Sequence, residues 1–403
     1  MRVLHLCDSL NPDGLGGYES YLHYLSRILD LTGHESLIAS QKSRRDGPKE
    51  VQQDHYHIRY LEGNLLEARK WEYLALPPKK REIAVQSLFS SDDLEENVKL
   101  LTRELDSLIE RFQPDVLHAH STYVVFNRVL ERCLSESRWG GLPLIATVHG
   151  LPKSLVLPDG IETTDYEQLA AHCPFDAVFG VSDCVASELE AHLPRSVESI
   201  RREYLGVDLD VFRPRGGVKQ WDIAFMGRME PMKSVDMFPS LFQNLINTYS
   251  SLRIVMTGEG SHRRNIMKEF CDSGVDENVE YLGVVPNNKV PSIINQSKIF
   301  LYPSRREPFG LSIVEAMACE VPVVTSNIFG PKEIITDDVD GVLVDPENVA
   351  ETTDALVRLL DNPQERVSLG TRARITAQRR FSIRNHARRL LDYYRAVLAE
   401  KKR

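Results

Sequence analysis

Short apolar runs and longer amphipathic stretches alternate along this 403-residue chain, and the alternation occurs twice. Val3-Leu4-His5-Leu6-Cys7 and residues 36–39, 115–119, 143–148 and 176–181 are brief, mostly apolar and bounded by polar or turn-forming residues, as buried strands are. Residues 18–31, 94–112, 123–134 and 184–192 lie between them with apolar positions at helical spacing. The rhythm then breaks at Arg213-Pro214-Arg215-Gly216-Gly217-Val218-Lys219-Gln220, a polar stretch with the Pro and Gly of a linker. It restarts with strands predicted at 221–226, 252–257, 279–282, 298–302, 321–325 and 341–344. Strands alternating with helices make parallel βαβ units, so the predicted fold class is α/β, with two Rossmann-like parallel-sheet domains. The predicted division is a first domain over 1–212, a linker over 213–221, a second domain over 222–381 and a terminal helix over 382–403.

Composition narrows the classes. The length accommodates two large cores, and a formal charge of -9 argues against a nucleic-acid partner. The six cysteines, Cys7, Cys133, Cys173, Cys184, Cys271 and Cys319, form no C-x-x-C pair, and Cys7 and Cys319 fall in apolar runs as reduced core thiols. No signal-peptide pattern and no bilayer-length apolar run are visible, so a cytoplasmic location is expected. Residues 69–81 mix Arg69, Lys70, Lys79, Lys80 and Arg81 with aromatic and aliphatic residues. They read as a basic surface with apolar packing, or alternatively as peripheral contact with an anionic inner-membrane face. The terminal bases Arg388, Arg389, Lys401, Lys402 and Arg403 read the same way.

The chemistry concentrates in Pro303-Ser304-Arg305-Arg306-Glu307-Pro308-Phe309-Gly310-Leu311-Ser312-Ile313-Val314-Glu315. A Pro-Phe-Gly turn joins a predicted strand to a helix predicted over 311–319, the position at which open α/β sheets bind ligands. First-turn N–H groups of that helix suit a phosphate. Glu307 stands before the turn and Glu315 follows it. The plainer readings are a solvated carboxylate for Glu307 and a Ser312-x-x-Glu315 capping box.

This stretch resembles the glutamate-x7-glutamate motif of retaining glycosyltransferases, family 4 in particular. The resemblance implies that Glu307 contacts the donor sugar, Glu315 the ribose hydroxyls, and the Phe309-Gly310-Leu311 backbone the diphosphate. Gly227-Arg228-Met229-Glu230-Pro231-Met232-Lys233 places a guanidinium and an ammonium where they can converge on one anion, as a leaving diphosphate requires. It resembles the family's G-R-x-x-x-x-K-G element, with Ser234, a candidate N-cap, replacing the last glycine. In Asp13-Gly14-Leu15-Gly16-Gly17-Tyr18-Glu19 the dinucleotide pattern G-x-G-x-x-G fails at Glu19. Gly16-Gly17 resembles instead the family loop near the donor diphosphate, and Gly258-Glu259-Gly260 another donor-side loop.

His149 ends a predicted strand, where a family histidine lies near the transferred sugar. His118-x-His120 ends another, but no third ligand is evident for a metal, and a structural or acceptor-side role is preferred. Asp208-x-Asp210 resembles part of a G-V-D-x-x-x-F element that has no metal role in the family. The expected architecture is therefore GT-B, two such domains facing a central cleft, with the terminal helix crossing back to the first. The expected function is retaining, metal-independent transfer from a nucleotide diphosphate sugar, UDP-linked by default, to a hydroxyl acceptor. That acceptor could be a glycan, a lipid-linked glycan or a small molecule; no cofactor is expected. A nucleotide-sugar epimerase or hydrolase, or a non-catalytic binding module, are the alternatives.

Overall fold

The computed structural model describes residues 1–8, 10, 17–74, 90–122, 124–136, 139, 141–156, 162–194 and 200–401. The chain divides into two compact units: residues 1–12, 25–203 and 387–403 form the first, and 13–24 with 204–386 the second.

The first unit holds β1 (Arg2–Cys7), β2 (Glu35–Gln41), β3 (Glu50–Gln52), β4 (His57–Leu61), β5 (Val116–His120), β6 (Leu144–Val148), β7 (Ser154–Val156), β8 (Glu162–Thr164), β9 (Ala177–Gly180) and β10 (Ile200–Arg202). Eight of these make one sheet in the order β10-β9-β6-β5-β1-β2-β4-β3, and β7 and β8 form a separate antiparallel hairpin. Every pairing in the large sheet is parallel except β3 with β4. β1 and β5 are almost wholly buried, as strands covered on both faces must be.

The second unit holds β11 (Trp221–Met226), β12 (Ile254–Thr257), β13 (Val279–Tyr281), β14 (Ser297–Tyr302), β15 (Val323–Ser326) and β16 (Val342–Val344) in the order β13-β12-β11-β14-β15-β16, all parallel. This is the doubly wound order. The chain runs outward one way from β11 and the other way from β14, so the connections after these two strands diverge and leave a crevice at their carboxyl ends. In the first unit the corresponding pair is β1 and β5.

Each strand predicted above is present, with ends displaced by no more than two residues. The sequence reading passed over β3, β4 and the helix Leu66–Leu74, all within a segment with no recognisable pattern, and the short β7, β8 and β10. Residues 75–89, including part of the basic stretch, lie outside the described residues. The division falls at Glu203, ahead of the predicted linker. The physical cause is a clasp: Val207 N–H donates to Phe381 at 2.8 Å and Ile383 N–H donates to Val207 at 3.0 Å, which ties 204–212 to the second unit. The linker is itself anchored, with Arg215 N–H donating to Asn295 Oδ1 at 2.7 Å. The last helix, Ile383–Lys401, belongs from Ala387 onward to the first unit.

Candidate active site

The two strands that flank the switch point of the second unit, β11 and β14, lead into the two richest motifs. Beyond β11, Gly227 to Glu230 leads to a single 3-10 turn, Pro231–Lys233. Beyond β14, the turn Pro303 to Gly310 leads to the helix Leu311–Ala318. Their closing residues meet: Lys233 Nζ lies 2.5 Å from Glu307 Oε2, with both side chains almost buried. The Tyr302 hydroxyl donates to the same oxygen at 2.9 Å, and the ammonium lies 5.1 Å from the centre of the Tyr302 ring. Burial opposes ionisation of Glu307, yet Lys233, Tyr302 and the Phe309 N–H hold its carboxyl below the usual range. Burial likewise opposes the Lys233 charge, and Glu307 and Tyr302 overcome it, so its pKa is raised. Burial, reinforced by Glu307, pushes the Tyr302 phenol up to about 12. At neutral pH the cluster is therefore a buried ion pair beside a neutral phenol. The reading of Glu307 as a solvated loop carboxylate is corrected accordingly.

Glu315 differs in kind. It is 8% exposed, and among the described residues no hydrogen bond or ion pair reaches its carboxyl. Burial alone pushes it up to about 8. The capping-box reading is overturned, because the N-cap is Gly310 and Ser312 lies inside the first turn. Gly310 adopts φ of 109°, a conformation that glycine enters without the Cβ penalty. The first-turn N–H groups of Leu311 and Ser312 precede the intrahelical ladder. Phe309 is buried, 5.9 Å from Tyr204 and 5.8 Å from Phe381 between ring centroids, which fixes the turn.

The remaining predicted residues sort as follows. Arg228 is exposed, with its guanidinium 3.7 Å from the Met232 sulfur. Ser234 occupies the N-cap position of the 3-10 turn Val235–Met237 but makes no side-chain capping bond: it takes φ of 55°, and its buried hydroxyl finds no partner among the described residues. A left-handed backbone explains the glycine in the motif it resembles. Gly258 has φ of 117°, and a Cβ there would stand 2.0 Å from the Gly227 carbonyl oxygen, so this loop packs directly on the β11 loop. Gly17 opens the helix Gly17–Leu31, and a Cβ on it would come within 4.0 Å of Leu311 Cβ. Gly16 lies outside the described residues. Asp208 accepts from the Asp210 N–H at 3.0 Å, and Asp210 pairs with Arg384 at 2.8 Å.

In the first unit, His149 follows β6 and its N–H donates to Ser121 Oγ at 3.0 Å. His118 and His120 point from β5 to one face of the sheet, and here the sequence reading needs correction. His5 on β1 supplies the third imidazole, and ring nitrogens of His5, His118 and His120 lie within 4.8 Å of one another. Strand pairing creates this group, since β1 and β5 are distant in sequence, with His5 in register with His118. The nitrogens are already used by the protein. His118 Nδ1 lies 2.5 Å from the Tyr394 hydroxyl and its Nε2 lies 2.8 Å from Thr147 Oγ1. His120 Nε2 lies 3.1 Å from His5 Nδ1, and His120 Nδ1 lies 3.2 Å from His149 Nε2.

Comparison with known proteins agrees with this geometry. Residues 15–211 match the family model described as Glycosyltransferase Family 4, and residues 210–376 that described as Glycosyl transferases group 1. The D-inositol 3-phosphate glycosyltransferase of Pseudarthrobacter chlorophenolicus is 30% identical over 313 residues, 72% of this chain and 73% of that protein. The enzyme of the same name from Saccharomonospora viridis is 29% identical over 312 residues, 71% of this chain and 70% of that one. Sucrose-phosphate synthase from Thermosynechococcus elongatus superposes with a TM-score of 0.78 over 99% of this chain and 100% of that one, at 18% identity. Anabaena HepE, solved with UDP-glucose, superposes at 0.70 over 98% of this chain and 100% of that one, at 16% identity. The chain belongs to glycosyltransferase family 4 and is a glycosyltransferase of GT-B fold.

Proposed function

We propose that this enzyme transfers a hexosyl group from a UDP-sugar to a hydroxyl acceptor, with retention of anomeric configuration and without a metal ion. One observation carries the reading. The switch point of the second unit assembles a buried Lys233–Glu307 pair and an unpartnered Glu315 carboxyl around a glycine-capped helix start. Each has a use in such a reaction. The N–H groups at Gly310 to Ser312, with Lys233 and Arg228, stabilise charge that builds on the departing diphosphate. Glu315 accepts hydrogen bonds from the ribose. Glu307, held ionised by Lys233, accepts them from the donor sugar.

In the reaction the acceptor oxygen bonds to the anomeric carbon on the face from which the diphosphate departs. The glycosidic C–O bond breaks, and the acceptor's proton passes to a diphosphate oxygen. The relatives' names make D-inositol 3-phosphate the first acceptor to test, and the UDP-glucose complex of HepE makes UDP-glucose a reasonable first donor. Among the described residues no helix is long and apolar enough to cross a membrane. The test is turnover of UDP-sugars with a panel of polyol phosphates in EDTA, with proton NMR of the new anomeric centre. An α-linked product from an α-linked donor supports the reading. A β-linked product, or activity lost in EDTA and restored by magnesium, refutes it.

A further inference from the structure

We propose that the first unit binds a phosphate monoester at the start of the helix Val125–Ser135, held by the opening N–H groups, Asn127 and Arg128. That phosphate belongs to the acceptor. The inference deepens the transferase reading above and rests on it only for the identity of the molecule that carries the phosphate.

Position comes first. β5 is one of the two strands that flank the switch point of the first unit, and its carboxyl end leads into this helix. Ligands of open α/β sheets bind at that edge. The helix is 11 residues long, and its opening N–H groups carry partial positive charge. Val124 at its N-cap offers no capping side chain, and its first turn holds no acidic residue. An uncapped helix start is not in itself a site; two side chains make it one.

Asn127 is fully buried. The Thr122 hydroxyl donates to its Oδ1 at 2.9 Å, and Thr122 precedes the N-cap, so the amide is folded back over the helix start, the direction in which helical side chains lean. Its Nδ2 has no acceptor among the described residues. Arg128 follows, half-buried, and its buried Nε–H likewise has no acceptor among them. One turn further along, Arg132 pairs with Glu95 at 2.9 Å and Glu136 at 3.4 Å, whereas Arg128 meets no carboxylate among the described residues. Buried N–H groups are nearly always paired, and leaving one open is costly. An oxyanion supplies what both side chains lack. A phosphate monoester carries a charge of about -1.5 to -2 at neutral pH and three acceptor oxygens. The helix start, the amide and the guanidinium can therefore each engage a separate oxygen.

Titration calorimetry of the intact enzyme, without donor, compares D-inositol 3-phosphate, inorganic phosphate and inositol. The two phosphates are expected to bind and to compete with each other, and inositol to bind at least tenfold more weakly than its phosphate. Arg128→Gln weakens D-inositol 3-phosphate about tenfold to a hundredfold, the range for one hydrogen bond to a charged group. Asn127→Asp keeps the side-chain shape but exchanges the Nδ2 donor for a carboxylate oxygen, and phosphate binding is lost. Inositol affinity stays unchanged in both variants, whereas a merely structural role would weaken inositol and phosphate alike. Should Asn127→Asp fail to fold, Arg128→Gln carries the test. Absence of phosphate binding, equal affinity for inositol and its phosphate, or wild-type phosphate affinity in the folded variants overturns the proposal. Binding is read without donor, so failure here is distinct from failure of the transferase reading, which shows as absence of glycosidic product.

Discussion

Glu315→Gln tests the least expected feature of the second unit, a buried carboxyl with no partner among the described residues. Moving this group from its ordinary 4.5 to about 8 corresponds to about 5 kcal/mol of preference for the neutral form. That is an upper bound, because the effective dielectric around buried groups is about 20. A realised penalty of about 2 kcal/mol on the ionised form is expected. Below pH 4.5 the carboxyl is protonated in both states and contributes nothing. Between 4.5 and about 8 the folded protein holds a proton that the unfolded chain has released, so stability falls as pH rises and levels off above. Glutamine never ionises. The variant should match the wild type at pH 5 and gain about 2 kcal/mol at pH 9, a rise of roughly 4–8 °C in Tm for a domain of this size. At pH 9, where the carboxyl is ionised, nucleotide binding should move the opposite way, weakened by about 1–2 kcal/mol through loss of a charge-assisted hydrogen bond to ribose. Calorimetric melting at both pH values, with UDP titrations alongside, measures both effects. A lower Tm for Glu315→Gln at pH 9, or unchanged UDP affinity, would refute the reasoning.

Three further outcomes follow from the same geometry. Lys233→Ala leaves the Glu307 charge buried and unpaired, so stability should drop by about 3–5 kcal/mol; turnover of the remaining folded enzyme should fall on the order of a hundredfold to a thousandfold. Urea melts and initial rates measure these separately, and a loss confined to donor affinity would contradict the leaving-group role. Ser234→Gly removes both a left-handed non-glycine residue and an unsatisfied buried hydroxyl, and should stabilise the protein by about 1–2 kcal/mol in urea melts; a destabilised variant would refute this account. Gly258→Ala forces a Cβ against the Gly227 carbonyl and should cost about 3 kcal/mol or more, with donor turnover lost as the β11 loop shifts. A fully stable, active Gly258→Ala enzyme would contradict the packing described.

Local signals carried much of the architecture. β11 was predicted at its observed limits, because a continuous apolar run between turn residues depends only on neighbours along the chain. Glu307 to Glu315 was recognisable for the same reason, as a turn and a helix start within a few residues. The obscure parts were those whose stability comes from pairing. β4 is a weak strand in sequence, and it exists because it pairs with β2 on one side and β3 on the other.

What the sequence determined by itself was the α/β class, the twofold recurrence of the pattern and the chemistry gathered near Glu307. Tertiary structure alone decided which side chains meet. Lys233 and Glu307 are 74 residues apart, and they pair because β11 and β14 are neighbours at the switch point. His5 reaches His120 across 115 residues because β1 lies beside β5. Ser234 stands at an N-cap position but its left-handed backbone leaves the hydroxyl without a capping bond, and the capping box of Ser312 and Glu315 fails because the helix starts at Gly310. Spacing along a chain records what neighbours can do; strand order and burial set the dielectric and the partners, and those determine charge.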